Sequence, residues 1–359
     1  MSVSYLDNAA TTPVRREVLE AMTPYLTSHF GNPSSHHTVG EQAAHALADA
    51  RARVAAVLGM RATDVIFTSG ATEANNLAIK GVAIAAQQRR GARHVVTTPI
   101  EHESVLGSVD YLTRIHGFDA TLVPVDTTGL VDPHAVAAAI RDDTAIVSVG
   151  YANNEIGTVQ DVAGLVAAVA GRVPLHLDAV QAAGWLPLAG LGADALSIAG
   201  HKIGAPKGIG ALGIRSRIPL EPVLHGGGQE RDRRSGTENV AGAVGLARAL
   251  ELAEAERADA AERVSGMRDD LISGVLERVP NARLTGHPEH RLPGTASFTF
   301  SGVNGETVLL ELERRGIVTS SGSACAAGSE EASHVLLALG IDHDEARTAV
   351  RVTLGQGAT

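Results

Sequence analysis

From about residue 41 the chain alternates amphipathic helical segments with short β-branched runs, and this alternation constrains the fold more than any other feature. Ala43, Leu47, Ala50, Val54 and Val57 recur every three or four residues, which lays one apolar stripe along a helix. Gly59 stands where a C-terminal cap belongs. The run Val65–Thr68 reads as a strand, and the same change of period returns at 93–98, 145–149, 173–178, 195–199 and 210–214, with helical stretches such as 161–170 between several of them. Strands separated by helices pair through crossover connections. The succession therefore predicts an α/β fold whose sheet is largely parallel and covered by helices on both faces. Residues 238–279 then read as one long helix, rich in Ala and Glu despite four internal glycines, and long enough to serve as a spine between domains. Beyond it, 295–300 alternates as a half-buried strand, 306–314 is helical, 317–320 is another strand and 347–354 closes the chain. That order fits a small sheet with helices on one side.

Composition narrows the function classes. At 359 residues, 44% hydrophobic and 19% charged, the chain can bury a large core and suggests two domains, which excludes disorder and fibrous structure. Its net charge of −10 argues against a nucleic-acid binder, and the arginines at 231, 233 and 234 are interleaved with Glu230 and Asp232. The first residues lack the basic start and apolar core of a signal peptide, and no apolar run approaches the length of a membrane helix, so a cytoplasmic location is expected. The single cysteine, Cys325, has no internal disulfide partner, and no second Cys or His beside it to share a metal. Of 30 basic residues only Lys80, Lys202 and Lys207 are lysines. Arginine cannot replace a lysine that must act as a primary amine, so each one is a candidate for chemistry.

In open α/β sheets ligands gather at the carboxyl ends of strands. The residues placed there are Ser69-Gly-Ala-Thr-Glu73, then Glu101 and His102, then Asn153, Asn154 and Glu155, then Asp178 with Gln181 a turn later, and finally Gly200-His201-Lys202. A lysine can hold an aldehyde cofactor as a Schiff base, an aspartate can keep a pyridine nitrogen protonated, and a helix N-terminus can hold a phosphate. Together they describe pyridoxal phosphate. His102 could stack on the ring and move protons. Each residue also has an ordinary use: Asp178 as a helix cap, His102 as an interior histidine, Lys202 in an ion pair. Their common sheet edge favours the joint reading. Cys325 sits in Ser320-Ser-Gly-Ser-Ala-Cys-Ala-Ala-Gly-Ser329, a run with few side chains to anchor it, as expected of a nucleophile on a mobile arm; the ordinary alternative is a buried, inert thiol.

These motifs resemble the cysteine desulfurases of the NifS/IscS type, group I, in the class V aminotransferase superfamily of fold-type I pyridoxal-phosphate enzymes. The resemblance spans nearly the whole chain. It is carried by Tyr5-Leu-Asp-Asn-Ala-Ala-Thr-Thr-Pro13, Phe67-Thr-Ser-Gly-Ala-Thr-Glu73, Glu101-His102, Asn153-Asn-Glu-Ile-Gly157, His176-Leu-Asp-Ala-Val-Gln181, Gly200-His-Lys202 with Pro206-Lys-Gly-Ile-Gly210, His225-Gly-Gly-Gly-Gln-Glu-Arg231, Arg234-Ser-Gly-Thr237 and the cysteine run. It implies a large domain over 15–255 with a mostly parallel seven-stranded sheet flanked by helices. A smaller α+β domain from 1–14 and 256–359 would carry the cysteine loop at about 318–330.

By resemblance, Lys202 would bear pyridoxal 5′-phosphate, Asp178 would pair with the ring nitrogen, Gln181 would bond the ring hydroxyl, and His102 would stack on the ring as acid–base catalyst. Ala71, Thr72 and His201 would hold the phosphate, joined by Thr237 from the partner in a homodimer. Asn154 and Arg351 would bind the carboxylate of L-cysteine. Cys325 would take the sulfur as a persulfide, release alanine and pass the sulfur to an acceptor protein, an iron–sulfur scaffold or a thiolation protein. The rival readings are a selenocysteine lyase, or another β-eliminating relative, and a non-catalytic partner-binding scaffold of the same fold. Two departures stand out: Ala199 replaces the serine common three residues before the lysine, removing one phosphate hydrogen bond, and the chain stops five residues after Leu354, where relatives usually continue into a further helix.

Overall fold

A computed structural model describes residues 3–322 and 331–359. Twelve strands occur among them. β1 (Ser4–Tyr5) lies at the N-terminus; β2 (Val65–Thr68), β3 (His94–Thr97), β4 (Asp119–Leu122), β5 (Thr144–Gly150), β6 (Leu175–Asp178), β7 (Ala195–Ala199) and β8 (Gly210–Ile214) come next. β9 (Ala282–Leu284), β10 (Thr295–Phe300), β11 (Ile317–Val318) and β12 (Val350–Thr353) belong to the C-terminal third.

β2 to β8 form one seven-stranded sheet in the order β2-β8-β7-β6-β5-β3-β4. Only β8 runs against the rest, pairing antiparallel with β2 and β7. Six carboxyl ends therefore share one edge, and the sheet is mostly parallel as expected. The central strands are buried along their whole length, which parallel strands covered on both faces require. β4 at the edge is largely exposed and carries no apolar run, which is why it escapes a pattern reading.

The helix Thr38–Leu58 shows how local sequence sets an element. His37 caps it by accepting from the Gly40 N–H, Gly59 ends it in the left-handed conformation, and Ala43, Leu47, Ala50 and Val54 are buried against the core. Val57 closes the stripe half-buried. The helix Val240–Arg278 runs 39 residues. Its first half is buried against the helices Arg16–Thr27 and Thr38–Leu58, and its far end meets β9 and β10. A three-stranded antiparallel sheet, β12-β10-β9, stands apart from the large one. The expected strand 317–320 is shorter than read, since β11 stops at Val318 and Ser320 makes only an isolated bridge to Arg351; within the closing segment 347–354, β12 spans Val350–Thr353. Turn hydrogen bonds hold 346–349 instead.

Candidate active site

The shared sheet edge opens into a cavity of about 570 Å³. Its floor comes from strand ends. Asp178 is the last residue of β6, and its carboxylate accepts from the Val180 N–H at 3.1 Å and from Asn75 Nδ2 at 2.7 Å. Lys202 sits in the single 3-10 turn after β7, with Nζ donating to the carbonyl oxygens of Ala9 and Ala10, the latter at 2.8 Å. Gln181 donates to Ala9 O at 3.1 Å. These groups crowd one corner because β6 and β7 are adjacent and parallel.

A second wall comes from helix starts. Ala71 and Thr72 open a helix that continues through a π turn at Leu77–Gly81 to Arg90. Gly70 precedes it at φ +155°, and a Cβ there would meet nothing within 4 Å, so the approach to these N–H groups is open. His102 caps the helix Glu103–His116. Its Nδ1 accepts from the Ser104 N–H at 3.0 Å and lies 2.8 Å from Ser104 Oγ. Since a backbone N–H only donates, the neutral ring carries its proton on Nε2. His201 Nδ1 contacts Thr11 Oγ1 at 3.2 Å, and burial, with Lys202 and Lys207 nearby, lowers its pKa to about 4. At pH 7 it is therefore a neutral hydrogen-bonding group.

The rim comes from distant parts of the chain. Arg351 on β12 is 1% exposed; Nη1 donates to Asn154 O at 2.8 Å and Gly322 O at 2.7 Å, and Nη2 pairs with Asp7 at 2.7 Å. Its Nε has no partner among the described residues. Ser333 donates to Glu155 Oε2 at 2.5 Å. Gly322 and Ser333 stand on either side of 323–330, so Cys325 lies outside the described residues.

Nine of the expected site residues, Lys202, Asp178, Gln181, His102, Ala71, Thr72, His201, Asn154 and Arg351, thus line one cavity. Thr237 does not line it; it is exposed, at the end of the segment 230–237. Glu230, Arg231 and Asp232 there all have positive φ. Such a backbone persists only when over-determined by its surroundings. Arg51 holds Glu230 in a buried bidentate pair at 2.5 and 2.7 Å, and Arg234 pairs with Glu73 at 2.7 Å.

Sequence reasoning missed Asn75 and Ser104, both bonded to site residues, although Asn75 lies one turn after Ala71 on the same helix. It named Glu101 without a role. That carboxyl is fully buried, and desolvation raises its pKa from 4.5 to about 7, despite a 2.6 Å bond from Thr98 and the Gly150 N–H. Ala199 lines the cavity without a hydroxyl, as the sequence implied.

The residues present fit pyridoxal 5′-phosphate: a primary amine, a buried carboxylate for the ring nitrogen, a flat histidine, and a helix start with open space before it. The sequence profile of the family described as aminotransferase class-V matches residues 4–359. A protein named cysteine desulfurase IscS from Methanosarcina thermophila is 46% identical over 355 residues, covering 98% of this chain and 87% of that one. A solved structure titled NifS-like protein superposes with TM-score 0.92 at 39% identity, covering 100% of this chain and 95% of the other. Another, titled SspA in complex with cysteine, gives TM-score 0.83 at 36% identity over 98% of both chains. With its mostly parallel sheet, its amine at a strand end and these likenesses over nearly its full length, the chain belongs to the aminotransferase class-V family of pyridoxal-phosphate enzymes.

Proposed function

We propose that Lys202, His102 and Cys325 remove sulfur from L-cysteine on a frame set by Asp178, Gln181, Ala71, Thr72, His201, Asn154 and Arg351. The chain is a pyridoxal 5′-phosphate-dependent cysteine desulfurase. When bound, the cofactor supplies an electron sink for the substrate's α-carbon. Lys202 Nζ is the primary amine that would hold its aldehyde, and the Asp178 carboxylate, oriented by its two donors, would pair with the ring nitrogen. Gln181 would meet the ring hydroxyl, and the helix start at Ala71 and Thr72 would take the phosphate, with neutral His201 beside it. His102 presents Nε2 to the cavity for proton transfer, because Nδ1 is already engaged. Asn154 and Arg351 orient the substrate carboxylate at the rim. Cys325 takes the sulfur as a persulfide, alanine leaves, and an acceptor protein receives the sulfur.

The convergence of Lys202, Asp178 and His102 on one cavity, with both flanks of the cysteine segment bonded at its rim, carries this reading. Cys325→Ala tests it: alanine production from free cysteine falls at least about 100-fold while the cofactor absorbance stays. Alanine formed at the parent rate would overturn the persulfide route. Loading the enzyme with labelled cysteine and identifying the labelled cellular protein distinguishes an iron–sulfur scaffold from a thiolation protein.

The reading extends to a homodimer in which Thr237 completes the partner's phosphate site, supported by the exposure of Thr237 in a segment held by Arg51 and Arg234. A cofactor-holding unit over 15–255 and a smaller unit from 1–14 and 256–359 match the separation of the two larger sheets. Among the described residues no helix is long and apolar enough to cross a membrane, and we assign the enzyme to the cytoplasm.

A further inference from the structure

Asn75 is 1% exposed and reaches the cavity floor from the first turns of the helix that begins at Ala71. Its Nδ2 has two protons, and both are committed. One goes to Asp178 Oδ2 at 2.7 Å and the other to Ser104 Oγ at 2.9 Å. Ser104 Oγ in turn lies 2.8 Å from His102 Nδ1. The amide orientation is fixed by its neighbours, since the flipped amide would set Oδ1 against the Asp178 carboxylate.

In this orientation Oδ1 is buried and has no partner among the described residues. An apolar side chain of similar volume would fill the same space and leave no acceptor unsatisfied. A residue kept only for packing has no need of that amide; its two donors are what the position uses. The order of bonds runs one way, from Asn75 into the hydroxyl and from the hydroxyl into the ring nitrogen. Ser104 accepts from Asn75 and so turns its own proton to Nδ1, adding a second donor beside the Ser104 N–H. Asn75 carries no titratable proton. The chain is a brace and not a proton wire.

We propose that Asn75 is a positioning residue that couples the Asp178 carboxylate to the His102 ring through Ser104, so that the group facing the cofactor nitrogen and the group over the ring are held by one side chain. This rests on the roles given above to Asp178 and His102. It adds a mechanical link between two residues that stand on different elements, 76 positions apart in the sequence.

The test uses cofactor-free full-length protein labelled with 15N-histidine, the His102 signals being assigned by their loss in His102→Gln. In the parent, His102 shows a protonated Nε2 and a hydrogen-bonded, unprotonated Nδ1. Asp178→Ala releases one proton of Asn75, and we expect it to move the Nδ1 resonance. The same Asp178→Ala change made in an Asn75→Leu background leaves that resonance where Asn75→Leu alone put it. An equal displacement in both backgrounds, or none in either, overturns the proposal. Ser104→Ala cuts the next link and must abolish the displacement in the same way, which keeps the test decisive if Asn75→Leu does not fold.

A second readout separates this proposal from the reading beneath it. Pyridoxal phosphate titrated into the cofactor-free proteins binds about tenfold more weakly to Asn75→Leu, the scale of one hydrogen bond to a charged group. Ser104→Ala weakens it less, because only Asn75 touches Asp178. Asp178→Ala with parent affinity would refute the role of Asp178, whereas weak binding by Asp178→Ala with parent affinity in Asn75→Leu refutes Asn75 alone.

Discussion

The floor and the rim of the cavity are held by different kinds of structure. Asp178 ends a strand of the large buried sheet, and Lys202 and His102 stand in a turn and a helix start just beyond other strands of that sheet. Arg351 reaches the same space from β12 and is held by side-chain bonds to Asn154, Gly322 and Asp7, the last 344 residues away in the chain. The floor is assembled from strand ends of one sheet, while the rim joins the small sheet, where Arg351 pairs with Ser297, to the N-terminal segment through a few side-chain bonds. Single substitutions should therefore separate holding the cofactor from handling the substrate.

Lys202→Ala gives the largest expected effect. Loss of the amine removes the covalent hold on the cofactor and lowers the rate at least about 10³-fold, read as alanine formed per enzyme and as loss of a borohydride-reducible chromophore. Retention of that chromophore would move the floor's chemistry to another lysine.

Glu101 tests how the floor is built. Its folded pKa, near 7, lies above the ordinary 4.5, so the folded state keeps the proton longer than the unfolded chain. Its contribution is complete below pH 4.5, declines as pH rises to about 7 and is constant above. The span is on the order of 3 kcal/mol. Urea unfolding of the cofactor-free protein at pH 5 and 7.5 reads it, and Glu101→Gln flattens the slope. An unchanged slope in that variant would assign the pH dependence to another group.

At the rim, Arg351→Lys keeps a charge but loses the planar fork, and we expect KM for cysteine to rise about 30-fold with cofactor affinity within twofold. A parallel loss of cofactor would erase the distinction between floor and rim. The smallest effect belongs to Ala199→Ser, which restores a hydroxyl beside the phosphate end of the cavity and tightens cofactor binding about threefold in equilibrium titration, the low end of a single hydrogen bond.

Much of the fold was legible from residue pattern. The runs 65–68, 195–199 and 210–214 are strands over those same residues, because β-branched and small apolar residues there are buried on both sides; 295–300 is also a strand, but its alternation misstated its burial, since all of it except Phe300 is buried. β4 and β9 were not, since an edge strand and a short three-residue strand carry no apolar periodicity. The strand-end residues of the site were legible for a related reason: chemistry at the edge of a parallel sheet must come from the residues at and just beyond each strand's carboxyl end. Asn75 and Ser104 were not, because their significance lies in partners on other elements.

The sequence by itself determined which groups were available and near which strand ends they would stand: the amine of Lys202 after β7, the carboxylate of Asp178 closing β6, the ring of His102 beyond β3, and one thiol in a run of small residues. The tertiary structure decided which of them meet. That depends on the spatial order β2-β8-β7-β6-β5-β3-β4, which no local period encodes, and on the return of β12 to the N-terminal segment. Hydrogen bonds act over about 3 Å, so the pairing of Asn75 with Asp178 and of Arg351 with Asp7 exists only once the whole sheet has assembled.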